Sequence, residues 1–565
     1  MALGVAAAPM ARTLGVHLPI YPLKGYSITV ELDGPSTAAP RISVTDSDRK
    51  VVFARIGSRL RVAGMAELAG YSTATLTNNF WNSDTATTAN GNGDAANNVG
   101  AAPLTSAQFR QSASFNSAGW SASNVGGDGT TWRIYEGQTG PLLRSFLTPL
   151  NMDLAYDGNG AALTQVGAYS TPGTADTTKL FGTAAAPGTL TLASSGVAGN
   201  YLASAPVSGL FSQQNGYDIL PTASRTIASA GSAAGDVQLG NDISFTNGTL
   251  AVSAANNINL NGKAITTGSG TLQINGGTAI NAGAVSVDSF VMMDGTWSQV
   301  APTLPGFAAR DFNLWGGTFI RAKGGDGSVA TPYQIADVYG LQGVGSAGML
   351  NKNYKLANNI DASGTALWNG SAGFKQIGGG VTDYTGTFDG NNKTISNLTI
   401  NRPAENNVGL FASLLGSTIM NLGLTSFSVT GKDFVGGLAG TNSASQINNS
   451  YGTGSVTGSS SVGGLVGTNF GTINNSYATG SVTGSSSVGG LVGTNFVTIN
   501  NSYATGSVTG SAFAGGLVGA NAGTVSNSFW NTDTTGQATS AGGTGKTTAE
   551  MMQAATFTSA GWSAS

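Results

Sequence analysis

Cysteine is absent from all 565 residues, which excludes a disulfide framework and any thiolate metal site. Charge is scarce as well: 9% of residues are Asp, Glu, Lys or Arg, against about a quarter in an ordinary globular chain. With a net charge of −3, no basic field exists to attract nucleic acid or an anionic membrane. The single histidine, His17, has no His, Cys or carboxylate cluster nearby, so it founds neither a metal site nor a triad. No run of about 18 apolar residues marks a membrane span. The opening stretch MALGVAAAPMARTLG lacks a basic segment ahead of its apolar residues and does not read as a secretory signal. What is plentiful is glycine, 85 residues, within a chain that is still 40% hydrophobic. Regularly placed Val, Ile and Leu in such a background argue for packed β-structure rather than disorder.

The strongest signal is a repeat. VGGLVGTNFGTINNSYATGSVTGSSS from Val462 and VGGLVGTNFVTINNSYATGSVTGSAF from Val488 differ at three places. Gly-Gly-Leu triplets begin at 436, 463, 489 and 515, and Tyr451, Tyr477, Tyr503 and Phe529 recur every 26 residues. A proline-free repeat of this length predicts a stacked solenoid in which no single copy can bury its own apolar face. In the copy from Val462, the residues Val462, Leu465, Ile473 and Val482 are expected to point inward, with Tyr477 closing a corner. Gly463, Gly464, Gly467, Gly480 and Gly484 are expected at bends, where glycine leaves positive φ open to the backbone. Stacking sets like over like, so Asn442, Asn469, Asn495 and Asn521 should form one amide ladder. Asn448, Asn474 and Asn500 should form another. Both are read as structural, not as calcium or sugar ligands.

Ahead of the repeats, PYQIADVYGLQGV, NYKLANNIDASG, YTGTFDGNNKTISNLTI and NNVGLFASLLG lead into GGLVGTN-x-x-x-INNSYATGSVTG. This order resembles the GLUG-repeat region of filamentous-haemagglutinin-type bacterial adhesins, most clearly over 331–530. The fold expected is mainly β: a parallel β-solenoid or β-helix, preceded by a small truncated α+β fragment. Residues 136–330, rich in Gly, Ala and Thr with Asn-Gly turns at 247 and 261, fit either a β-helix or a string of β-sandwich modules. Their short alternation leans toward the helix. The division expected is 72–135 for a repeat-end cap and linker, 136–330 for this β region, and 331–434 for the lead-in to the solenoid. The four repeats follow at 435–530, and 531–565 begins another cap.

Residues 1–71 are of a different kind, with eight of the 24 basic residues and ordinary globular patterning. ALGVAAAPMARTLGVHLPIYPLKGYSITVEL from Ala2 and AAPRISVTDSDRKVVFARIGSRLRVAGMAELAG from Ala38 resemble the D-amino-acid dehydrogenase family of FAD-dependent oxidoreductases. The resemblance implies strands from the substrate side of that enzyme, with Tyr21, Lys24, Tyr26 and Arg61 as substrate-side remnants. The family's Gly-x-Gly-x-x-Gly turn, which cradles the flavin pyrophosphate, is missing from the matched segment. No catalytic, cofactor or metal residue is therefore assigned, and FAD belongs only to the alternative in which the chain oxidises D-amino acids. After Tyr71 the composition changes abruptly, as at a join between two unrelated reading frames. NFWNSDT from Asn79 returns as SFWNTDT from Ser528, and SFNSAGWSAS from Ser114 returns as TFTSAGWSAS from Thr556. The array thus contains a second, larger period.

Three motifs invite other chemistry. GGTGKTT from Gly542 resembles a phosphate-binding loop, yet Ser540 stands where the first glycine belongs and no buried strand precedes it. Asp94, Asp128 and Asp326 sit in Gly-rich turns without a repeating ligand spacing and read as turn formers. The eight Trp residues read as packing or capping, or as a platform for sugar rings. The expectation is a non-enzymatic fragment of a secreted bacterial adhesin, displayed extracellularly through an outer-membrane secretion partner. It would bind host or bacterial cell-surface molecules, glycans among them, and no nucleic acid.

Overall fold

The computed structural model describes residues 23–31, 44–46, 51–56, 58–68, 77–86, 101–151, 153–154, 165–166, 169–170, 175–183, 188–228, 233–380 and 382–563. The chain divides into two units, Met1–Trp120 and Ser121–Ser565. In the first, β1 (Leu23–Glu31), β2 (Val44–Asp46), β3 (Val51–Ile56) and β4 (Arg59–Leu68) form an antiparallel sheet in the order β1-β4-β3-β2. Farther along the same unit, β5 (Asn79–Asn82) and β6 (Ala101–Leu104) pair in parallel.

The second unit is a β-solenoid, and it begins well before residue 331. An antiparallel meander of Thr189–Ser194, Asn200–Pro206 and Thr222–Ala228 stands at its first end. Thr189–Ser194 then pairs in parallel with Thr249–Ser253, and every later rung of the main stack is parallel. Val285 lies beside Phe307 and Thr296 beside Thr318, a coil of 22 residues. The β-helix reading of 136–330 therefore holds from about 237 onward, and no β-sandwich interrupts it. Asn261 and Gly262 turn the chain at φ 48° and 70°, the left-handed geometry that an Asn-Gly pair supplies.

One interior column shows how the coil changes size. Tyr354, Phe388, Ile419, Ile447, Ile473, Ile499 and Val525 are register partners in succession. Their spacing falls from 34 through 31 and 28 to 26 residues. The narrow and wide coils meet at an aromatic plug. Phe290, Trp297, Phe312 and Phe319 are fully buried and pack with Tyr339 and Trp368 at ring separations of 5.1–6.3 Å. Tyr339 comes from a short helix, Val338–Gly343, capped by Asp337, whose other oxygen takes the buried Arg321 at 2.7 Å. Large rings fill a cross-section that aliphatic side chains would leave hollow.

In the repeats Val462, Leu465, Ile473 and Val482 are all buried, each removal from water contributing about 1.5–3 kcal/mol. Leu438, Leu465, Leu491 and Leu517 stack, each backbone N–H donating to the carbonyl of the next at 2.9–3.0 Å.

The glycines act differently from expectation. None of Gly463, Gly464, Gly467, Gly480 and Gly484 has positive φ. They are glycines because coils meet there: a Cβ on Gly464 would lie 2.3 Å from the Gly490 carbonyl oxygen, and one on Gly480 would lie 1.6 Å from that of Gly454. Of the left-handed corners, one per coil falls on Asn449, Asn475, Asn501 and Asn527, at φ 47–50°, the non-glycine type that tolerates this region best. Another falls on Phe434, Ser461, Ser487 and Phe513, at φ 52–58°.

Candidate functional site

The segment Asn-Asn-Ser-Tyr-Ala, repeated along one edge of the stack, builds the most distinctive surface of the second unit. After the left-handed Asn475, strand alternation sends Ser476 inward, Tyr477 outward and Ala478 inward. The buried serines form a spine in which the N–H of Ser450 donates to Ser476 Oγ, that of Ser476 to Ser502 Oγ, and that of Ser502 to Ser528 Oγ, at 3.1–3.2 Å. This spine fixes the next residue of each coil. Tyr451, Tyr477 and Tyr503 consequently stack with centroids 4.8 Å apart and planes within 9° of parallel.

Beside the rings runs an outer amide ladder. Asn449 donates to Asn421, Asn475 to Asn449, and Asn501 to Asn475, at 3.2–3.3 Å. Trp562 closes the end of the strip, 6.3 Å from Tyr503, its indole N–H bound to the Asn527 carbonyl at 2.8 Å. A cavity of about 420 Å³ lies on one side, lined by Asn475, Tyr477, Asn501, Tyr503 and Trp562. A second, of about 580 Å³, lies on the other, lined by Tyr503, Asn531, Met551, Met552, Phe557 and Trp562. Burial and the neighbouring Tyr477 push the Tyr503 hydroxyl up to about 12, which extends its neutral, donating form into alkaline solution. Ring faces, amides and a neutral phenol suit recognition of an uncharged polyhydroxylated ligand. Among the described residues no group of three His, Cys, Asp or Glu gathers as metal ligands do.

The asparagines expected to stack lie elsewhere. Asn442, Asn469, Asn495 and Asn521 hydrogen-bond in series at 2.6, 2.7 and 2.8 Å. The first three are wholly buried, beyond the reach of a ligand. Asn474 donates to Asn448 at 3.0 Å, while Asn500 accepts from Ser526 at 3.1 Å. The Asn449–Asn475–Asn501 ladder was missed, although the second Asn of each Asn-Asn pair recurs with the same period. Among the tryptophans, Trp297 and Trp368 are core residues, Trp315 is 73% exposed, and Trp562 alone lines the strip.

In the first unit, Lys24 pairs with Glu67, Tyr26 with Met65, and Arg61 with Thr29. The register does not gather these residues at one point, and Tyr21 lies outside the described residues, as do His17 and Asp94. The phosphate-loop look-alike is a strand, Thr544–Lys546, paired with Phe529–Asn531. It runs into a capping box between Thr547 and Glu550. Asp128 bonds Thr130 and Arg144. Asp326 accepts from the Ser328 N–H and the Thr331 hydroxyl, which hold its carboxyl down to about 2. Both are turn residues.

Comparison with known proteins gives two separate likenesses. The GLUG motif family matches residues 458–483. A stretch of 137 residues is 41% identical to Halomucin of Haloquadratum walsbyi, covering 22% of this chain and 2% of that protein. The D-amino acid dehydrogenase of Paramagnetospirillum magneticum is 51% identical over 71 residues, 13% of this chain and 17% of the enzyme. That of Dechloromonas aromatica is 50% identical over 72 residues, again 17% of the enzyme. The chain thus spans about a sixth or less of these relatives. Among solved structures, 37% of the chain aligns with 68% of a candidate immunoglobulin A1 protease from Bacteroides ovatus, at a TM-score of 0.31 and 22% identity.

Proposed function

We propose that the protein is a secreted bacterial surface adhesin of the filamentous-haemagglutinin type. In this reading the solenoid is a stiff rod and its exposed strip attaches the cell to host or neighbouring-cell glycans. The observation that carries this is the Tyr451–Tyr477–Tyr503 stack with its outer asparagine ladder, ending in clefts around Trp562. The three rings are half-exposed, and Tyr477 and Tyr503 border the clefts, where a ligand can reach them. GLUG and Halomucin similarity support a surface location for the repeats, and the absence of cysteine suits a chain that crosses membranes unfolded.

The test is antibody labelling of intact cells expressing the tagged full-length chain. Labelling without permeabilisation, removed by external protease, is expected. A tag reached only after lysis would overturn the surface reading.

A further inference from the structure

The same small module occurs twice, once in each unit, and the two copies share a set of hydrogen bonds. In the copy that ends the solenoid, Phe529–Asn531 pairs in parallel with Thr544–Lys546. In the other, β5 pairs with β6 and sets Phe80 beside Ala102 and Asn82 beside Leu104. Asn531 Oδ1 accepts from the Asp533 N–H at 2.9 Å, and Asn82 Oδ1 from the Asp84 N–H at 3.0 Å. Asp533 takes the Thr548 N–H at 2.8 Å, and Asp84 the Ser106 N–H at 2.7 Å. Glu550 returns to the Thr547 N–H at 2.8 Å, and Gln108 to the Thr105 N–H at 2.9 Å.

The aromatic nests also coincide. Phe529, Phe557 and Trp562 repeat as Phe80, Phe115 and Trp120, with ring separations of 5.5, 6.0 and 4.9 Å against 5.2, 5.8 and 5.1 Å. The tryptophan N–H binds the carbonyl of a left-handed asparagine in both, Asn527 at 2.8 Å and Asn78 at 2.7 Å.

What differs is the neighbour. Phe529 and Trp530 lie beside Tyr503 and Ala504 of the last GLUG coil. The Phe529 N–H donates to the Ser502 carbonyl, and the Thr534 hydroxyl to that of Thr505. Seated there, Phe529, Trp530 and Asn531 are 5–6% exposed. Among the described residues β5 has β6 as its one strand neighbour, and Phe80, Trp81 and Asn82 are only half-buried. Thr85 stands where Thr534 makes its bond to the coil.

We propose that residues 77–86 and 101–120 form a second end-cap whose β5 edge and Phe80–Trp81 face take the terminal coil of a GLUG solenoid, the Asn-Ser-Tyr-Ala rung. The naked edge of a parallel stack is a template for uncontrolled pairing, and repeat arrays need atypical end modules to stop it. A module that closes one solenoid through backbone bonds and a rigid aromatic nest closes any other that presents the same rung. The occupant of β5 is therefore a GLUG coil of another chain or array, and in a cap-deleted form of this protein it is a second copy.

Two altered chains, a graft and a truncation, test this independently of any role in attachment. In the first, residues 527–562 are replaced by residues 78–120. The melting midpoint and the raised titration of Tyr503 should match the parent, whereas a chain ending at Ser526, measured at concentrations where it is monomeric, should lose both. In the second, the chain ending at Ser526 should self-associate head to tail with rising concentration, and adding Phe80→Asp should weaken that association at least tenfold. A graft no better than the truncation overturns the proposal. So does a truncated chain that stays monomeric, or one that associates equally with and without Phe80→Asp.

Discussion

Single residues in the repeats carry their cost through what stacking places beside them. Asn469 accepts from the amide of Asn442 and the N–H of Gly471, and it donates to Asn495, all inside the stack. Asn469→Ala leaves buried partners unpaired and should cost roughly 2–4 kcal/mol, read as a lowered urea midpoint. Asn475 is exposed at φ 49°, so Asn475→Ala should cost only about 1 kcal/mol, and Asn475→Gly should recover most of it. Equal costs at the two sites would show that the buried ladder is not what holds the rungs together. Tyr503 gives a pH test. Its folded pKa, about 12, lies above the unfolded value near 10. Its contribution is therefore complete below about pH 10 and lost as pH rises toward 12. Ultraviolet titration should show at least one tyrosine ionising about two units late, coincident with falling stability.

At the scale of the element, one coil is the unit of construction. Deleting residues 462–487 removes one whole period and should leave a folded solenoid with a modestly lower melting midpoint, because neighbouring coils present the same rung. Deleting half of that stretch throws inward residues outward and should abolish cooperative unfolding. The coil was legible because Val, Leu and Ile recur with a fixed period, and the buried amide ladder followed from the same spacing. The role of the glycines was not legible. A composition rich in glycine says that Cβ atoms are unwelcome, but only the close approach of Gly464 to Gly490 tells whether torsion or contact is the reason. The 22-residue coils before residue 331 were also obscure, since Val285, Phe307 and their neighbours share a register without sharing a sequence. Nor could spacing reveal that Trp562, far from Tyr477 in sequence, would share a cleft with it.

At the scale of the molecule, two likenesses compete to define the protein, and they make opposite predictions. The dehydrogenase-like strands lie in an antiparallel sheet, and hydride transfer in that family belongs to the flavin, which carries the chemistry. The purified chain is expected to be colourless and unchanged by D-alanine. A yellow preparation bleached by D-amino acids would favour the enzyme. The attachment account rests on the strip, and the most direct measurement is binding of the full-length chain to a glycan array and to intact host cells. Tyr503→Ala and Trp562→Ala should be compared there with Phe470→Ala, whose ring stacks on Phe496 at 4.5 Å outside the clefts. The account predicts saturable binding that falls at least tenfold in the first two variants and is unchanged in the third. Binding insensitive to Tyr503 and Trp562, or no binding to glycan or cell by a correctly folded chain, would contradict it.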